Sequence, residues 1–265
     1  MIDQAFLKKS AIKSKVHFAE HHFLVHEIAD RLAQRLEFMK IKPLVIFNCG
    51  ARDEYHEKLL ATQYPEAKII KLEHGEDLLK LPLENNSIDM VFANLNLHWS
   101  PDIFKTLAEF RRILKKDGLL LFSTVGPDTL KELHQAFLQA EEKWHVHPFM
   151  DMHHLGDELV RLQFYEPVVD MEIIQLQYEA IGDLLLDLKN SGARNTWSER
   201  SRGLQGKSAW LRMLMNYEKL KQDGAYPVTL EIIYGQAWVA GPQLSKLNNE
   251  GEITFSLDQL RKKHD

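Results

Sequence analysis

The chain has one cysteine in 265 residues, Cys49. A lone thiol makes neither an internal disulfide nor a cysteine-based metal site, which fits a reducing compartment. Long apolar runs are missing as well: the longest, residues 118–125, is far too short to span a bilayer. The first ten residues, MIDQAFLKKS, lack the apolar stretch of a secretory signal, so a cytoplasmic location without a membrane partner is expected. Basic charge is not in excess either. Lys and Arg number 33 against 38 Asp and Glu, a net charge of −5, and no basic field invites nucleic acid. There is no internal repeat and no low-complexity tract. The remainder, 45% hydrophobic and 27% charged, is that of an average soluble domain long enough to bury a sizeable core.

Patterning along the chain alternates between helix and strand. Leu24, Ile28 and Leu32 recur every fourth residue within 23–36, one apolar stripe on a helix. After Pro43, residues 44–47 form a continuous apolar run stopped by Asn-Cys-Gly, which predicts a strand buried on both faces. A short helix over 53–63, a strand over 68–72, a strand over 88–95 and an amphipathic helix over 102–114 follow. Residues 115–118 (Lys-Lys-Asp-Gly) read as a helix C-cap and turn with Gly118 left-handed, leading into a strand over 118–124. Helices are expected over 129–142, 151–164, 181–189 and 208–223, strands over 168–178 and 228–239, and a loop over 191–207. The tail after Pro242 is polar and expected to be largely unordered. Such alternation predicts a doubly wound, mostly parallel α/β sheet.

A buried strand ending in a glycine turn before a helix is where open α/β sheets bind ligands. Gly50 ends the first strand, and Glu73 lies 23 residues further on, near the spacing at which an acid meets a ribose. One glycine and one acid also fit an ordinary strand–turn–helix with a solvated Glu, and on the pattern alone that plainer reading stands. Asn94, ending the third strand, fits either a ligand contact or a turn cap. His145, His147, His153 and His154 cluster in sequence, where a metal would want convergent nitrogens; the stretch instead resembles a loop–helix motif of a family with no known metal, so none is expected. Ser123 and Thr124 have no His–Asp pairing in support of hydrolysis.

Two sets of motifs carry more. Residues 75–83 (GEDLLKLPL), 87–91 (SIDMV), 94–99 (NLNLHW) and 114–118 (LKKDG) resemble class I S-adenosylmethionine-dependent methyltransferases. Residues 127–133 (PDTLKEL), 147–157 (HPFMDMHHLGD), 188–193 (LKNSGA), 202–207 (RGLQGK) and 226–229 (YPVT) resemble one subfamily, the malonyl-acyl-carrier-protein O-methyltransferases of biotin synthesis. The match spans most of 10–240.

This resemblance implies a Rossmann-like fold with a helical lid in the C-terminal half. It implies one domain over 1–242: an N-terminal lid (10–40), a nucleotide-binding half (41–126) and a substrate half (127–242), before a tail at 243–265. It further implies methyl transfer from S-adenosylmethionine to the free carboxylate of a malonyl group on acyl-carrier protein. Asn48, Gly50, Glu73, Asp77, Asn94 and Leu95 become candidates for the donor. Phe18, His98, Trp99, Arg194, Arg200 and Arg202 become candidates for the substrate. The nucleophile is the substrate's own carboxylate, already ionised at neutral pH, so no catalytic side chain is required.

The chain departs from the family pattern Asp-x-Gly-Cys-Gly-x-Gly at 46–52. Asn48 replaces the first glycine and Arg52 the last, obstructing backbone approach, and a positive φ there would cost roughly 1–2 kcal/mol. Only 38 residues, 51–88, separate Gly50 from Asp89. Two helices and two strands with ordinary connections need about 50. One strand–helix unit is therefore expected to be missing, and 68–72 serves either as the second strand, with Glu73, or as the third, with Asp77. Phe18 stands where the family carries a tyrosine over the donor. These departures leave a second reading open, a degenerate homologue acting by binding or assembly.

Overall fold

The computed structural model of the chain describes residues 2–140, 145–200 and 206–239, with the backbone of 246–247 and 253–254. Arg202 and most of the tail lie outside them; within the tail, Lys246–Leu247 pairs antiparallel with Ile253–Thr254. Six strands form one sheet: β1 Val45–Ala51, β2 Lys68–Glu73, β3 Ile88–Ala93, β4 Leu114–Val125, β5 Phe164–Tyr178 and β6 Tyr226–Val239. Their order is β2-β1-β3-β4-β6-β5. β1 pairs parallel with both β2 and β3, and β3 with β4, whereas β6 runs antiparallel to both its neighbours.

Both faces of the sheet are covered, because side chains alternate along each strand. Ile46, Met90, Phe92, Leu119 and Leu121 point to one face and pack with Ile28 and Leu32 of α2 (Phe23–Gln34). Leu133 and Phe137 of α5 (Lys131–Leu138), and Met213 and Tyr217 of α8 (Lys207–Glu218), extend that layer. Phe47, Val91, Leu120 and Phe122 point the other way, toward Leu107 and Phe110 of α4 (Ile103–Ile113) and Leu155 and Leu159 of α6 (Met152–Arg161). This is the doubly wound architecture expected from the alternation.

Between Gly50 and β3 the chain makes one helix, α3 (Tyr55–Gln63), and one strand, β2; residues 74–87 form only turns and irregular backbone. The unit that the residue count finds missing is thus the one after β2. Lying against β1, β2 is the second strand, and Glu73 is its last residue.

Two elements differ from expectation. A helix α1 (Gln4–Ser14) precedes all those predicted, capped by the Asp3 carboxylate, which accepts from the Phe6 amide at 3.0 Å. Residues 115–118 are not a C-cap. Ile88 pairs with Leu114 and Met90 with Leu119, so this stretch bulges out of the β3–β4 ladder. Asp117 takes the positive φ (+60°), whereas Gly118 is needed for room: a Cβ there would lie 2.8 Å from the Lys115 carbonyl oxygen.

Gly235 is required for a related reason. It sits opposite Phe122 in the β4–β6 register, and a Cβ would run into the Phe122 ring. Gly235→Ala should therefore lose about 1–3 kcal/mol, as overpacked cores do. Denaturant unfolding would show this as a lower midpoint; an unshifted midpoint would mean the ring relocates freely.

Candidate active site

The carboxyl ends of β1, β2, β3 and β4 converge on one edge of the sheet, beneath α1 and the short turn Phe18–Glu20. Two cavities open there. The smaller, about 100 Å³, is lined by Phe18, Ala51, Arg52, Glu73 and His74, with Lys8, Ser14 and Lys15 from the α1 side. The larger, about 340 Å³, is mostly apolar. Leu95 and Val125 come from the strand ends, while Leu130, Phe137, Leu184, Leu188 and Leu230 come from the second half of the chain. Arg52 borders both.

Around the smaller cavity, β1 ends with Gly50 at φ +87°, and the open face of that glycine is filled by Asn96, whose Cγ would lie 2.5 Å from a Cβ. The Asn96 amide donates to Cys49 Sγ (3.3 Å), and its carbonyl accepts from His74 Nδ1 (3.2 Å). Burial pushes the Cys49 thiol up to about 12, so it is inert at neutral pH. Burial, reinforced by the Arg52 charge, also drives His74 well below its usual range and keeps it neutral. With Nδ1 protonated toward Asn96, His74 Nε2 is a buried acceptor without a partner. Glu73 is half-exposed and pairs with Lys15 at 3.1 Å.

His98 and Trp99 form part of the larger cavity's wall, their rings 4.7 Å apart. His98 faces Thr124 Oγ1 at 3.3 Å and is held neutral by burial and by its neighbours His147 and Arg52. Arg194, on the loop after α7 (Ile181–Asn190), lines the same cavity.

Of the residues singled out from sequence, Phe18, Glu73, Leu95, His98, Trp99 and Arg194 therefore border one of the two cavities. Asn48, Gly50, Asp77, Asn94 and Arg200 border neither. Asn48 is buried inside β1 with neither side-chain atom bonded. Asp77 caps an exposed turn, accepting from the Leu79 amide at 2.9 Å. Asn94 braces three elements: its amide donates to the Val25 carbonyl (2.8 Å) and faces His56 Nε2 (3.1 Å), and its carbonyl accepts from Ser123 Oγ (2.7 Å). Arg200 holds the N-terminal segment, pairing with Asp3 at 3.1 Å and covering the Phe6 ring. The histidines of 145–154 diverge. His145 stacks on Phe137, His147 packs against Phe149 and Trp197, and His153 bonds Asp151. Among the described residues no group of three or more His, Cys, Asp or Glu could hold a metal ion. No helix among them is long and apolar enough to cross a membrane. Sequence reading missed His74, whose exposure to the site depends on β2 lying beside β1, and read Arg52 only as an obstruction.

The methyltransferase domain family matches residues 53–122. Among solved structures, a Bacillus halodurans protein described as a methyltransferase aligns with a TM-score of 0.53 at 15% identity, covering 80% of this chain and 99% of its own. YcgJ of Bacillus subtilis aligns with a TM-score of 0.52 at 12% identity, covering 82% and 100%. These likenesses establish the fold. Sequence relatives reach further. The malonyl-acyl-carrier-protein O-methyltransferase 1 of Coxiella burnetii is 41% identical, with 95% of each chain covered. The enzyme of the same name from Gallionella capsiferriformans is 38% identical over 93% of this chain and 94% of its own. With identity of that order over more than nine-tenths of its length, the chain belongs to the malonyl-acyl-carrier-protein O-methyltransferase family.

Proposed function

We propose that this protein transfers the methyl group of S-adenosylmethionine to the free carboxylate of malonyl-acyl-carrier protein, as its relatives are named for doing. The observation that carries the reading is the end-to-end likeness to those relatives, which includes the second half that builds the larger cavity. When bound, the donor supplies an electrophilic sulfonium methyl group.

The residues present suit such a donor. Glu73 offers two carboxylate oxygens at the end of β2, the group a ribose diol takes, and His74 Nε2 beside it is a buried acceptor awaiting a hydrogen bond. The smaller cavity alone is below the range of about 300–1,000 Å³ usual for ligand sites, and the larger lies within it. A carboxylate nucleophile asks for no base. Neutral His98 and the apolar walls around it serve to orient the acyl group and exclude water. We further propose a cytoplasmic setting, acyl-carrier protein as partner, and no role for metal, nucleic acid or membrane.

Titration calorimetry with S-adenosylmethionine and S-adenosylhomocysteine should show saturable binding, followed by methyl ester formation on malonyl-acyl-carrier protein. The absence of both heat and a thermal shift at millimolar ligand would overturn the proposal in favour of a binding or assembly role.

A further inference from the structure

Arg52 follows directly on β1, where the family pattern has glycine, and its guanidinium is sunk between the two cavities. It donates from Nη1 to the Ser191 carbonyl and lies 5.6 Å from the centre of the Phe18 ring. Gly192, at φ +83°, makes room for it: a Cβ there would lie 2.8 Å from Nη1. A carbonyl, a ring and a glycine supply no negative charge. The carboxylates nearby are committed elsewhere: Glu73 to Lys15 (3.1 Å), Glu76 to Lys8 (3.2 Å), Asp53 to His26 (2.7 Å) and Asp187 to His21 (2.5 Å). Among the described residues Arg52 makes no ion pair.

Burying a cation without a counter-charge is costly, and proteins retain such a group where a ligand provides the charge. Desolvation pulls the guanidinium down to about 10 and outweighs the opposing charge of Asp53, which makes no ion pair with it. A planar fork of donors matches a carboxylate better than any other partner.

We propose that Arg52 receives the free carboxylate of the acyl substrate at the junction of the two cavities, selecting malonyl over uncharged acyl groups. The assignment rests on the methyltransferase reading and deepens it. In the transfer, a carboxylate oxygen uses a lone pair to bond the methyl carbon while the carbon–sulfur bond breaks and its electrons stay on sulfur. The negative carboxylate and the positive sulfonium both become neutral, and no proton moves. The ester has lost the charge that Arg52 held, so the same residue that captures substrate favours release of product.

The test compares binding of malonyl- and acetyl-acyl-carrier protein, which differ only in the carboxylate, by the full chain saturated with S-adenosylhomocysteine. The unsubstituted protein should prefer malonyl by about tenfold to a hundredfold, the scale of a charge-assisted bidentate contact. Arg52→Gln should bring that ratio close to one while keeping its melting temperature and its affinity for S-adenosylhomocysteine. Arg52→Lys should restore part of the preference. An unchanged ratio in Arg52→Gln would overturn the assignment. So would weakened S-adenosylhomocysteine binding with the ratio intact, which gives the guanidinium to the donor's own carboxylate. Stronger donor binding and faster turnover in Arg52→Gly would reduce the residue to an obstruction. If the unsubstituted chain binds no S-adenosylhomocysteine at all, the methyltransferase reading itself fails and the assignment with it.

Discussion

Glu73→Ala should weaken S-adenosylhomocysteine binding by about tenfold to a hundredfold and leave the melting temperature almost unmoved. A single hydrogen bond from a ribose hydroxyl to the carboxylate is worth that much, since charged hydrogen bonds contribute about 1.5–3 kcal/mol and each 1.4 kcal/mol is about tenfold. The one ion pair Glu73 makes among the described residues, with Lys15, joins side chains that are 55% and 61% exposed. Pairs so open to water contribute roughly 0–1 kcal/mol, so their loss barely registers in stability. Affinity and stability thereby separate, which a merely structural role would not allow. Asp77→Asn serves as the control, because Asp77 caps an exposed turn away from both cavities. Calorimetry showing the opposite pattern, with Asp77 essential and Glu73 dispensable, would transfer the ribose contact to Asp77.

Acid should destabilise the fold well before its carboxylates protonate. His56 is buried beneath Asn94 and against the Phe92 ring, and desolvation lowers it to about 4; His147 is lowered to about 4 by the same cause. His74 and His98 lie well below their usual range. Each is neutral in the fold, whereas in the unfolded chain it takes up a proton near pH 6.5. Below that pH the unfolded state binds more protons, so this stability is complete above about 6.5 and drains away as pH falls toward 4. For His56 alone the loss approaches about 3 kcal/mol at pH 4. Denaturant midpoints at intervals from pH 7.5 to 4.5 should fall steeply, and His56→Gln should flatten the fall. Parallel curves for the two proteins would show that His56 is not a source of the dependence.

Much of the fold was legible because it is written in local periodicity. The stripe of Leu24, Ile28 and Leu32 and the apolar runs of β1, β3, β4 and β6 need no partner to be recognised. Even the missing strand–helix unit follows from counting residues. The helix α1 escaped because only Leu7, Ser10 and Ser14 are buried along it, which leaves no apolar stripe to read. Gly118 was misread because a positive φ and a need for space both call for glycine, and only the approach of the Lys115 carbonyl tells them apart. The site was harder. Asn94 bonds Val25, His56 and Ser123, and Arg200 bonds Asp3, 197 residues away. Polar side chains choose partners by proximity in space, which periodicity does not encode. The place of Glu73 at the end of β2 could be read from sequence because a strand end is itself periodic information.

The same distance in sequence governs how α1 is attached. It rests on Gly75 through Ala11, bonds Glu73 through Lys15, and its leading residues bond Thr196 and Arg200. These side-chain partners lie between 58 and 197 residues along the chain. Closing such loops costs entropy that is recovered only once the strand ends are already assembled. Docking of α1 therefore comes late in folding, and its detachment comes early among the partial openings of the native molecule. Because α1 roofs the Glu73 cavity but adds no strand to the sheet, that opening uncovers the cavity while the six strands stay paired. The Glu73 cavity is built onto the part of the protein that comes apart first.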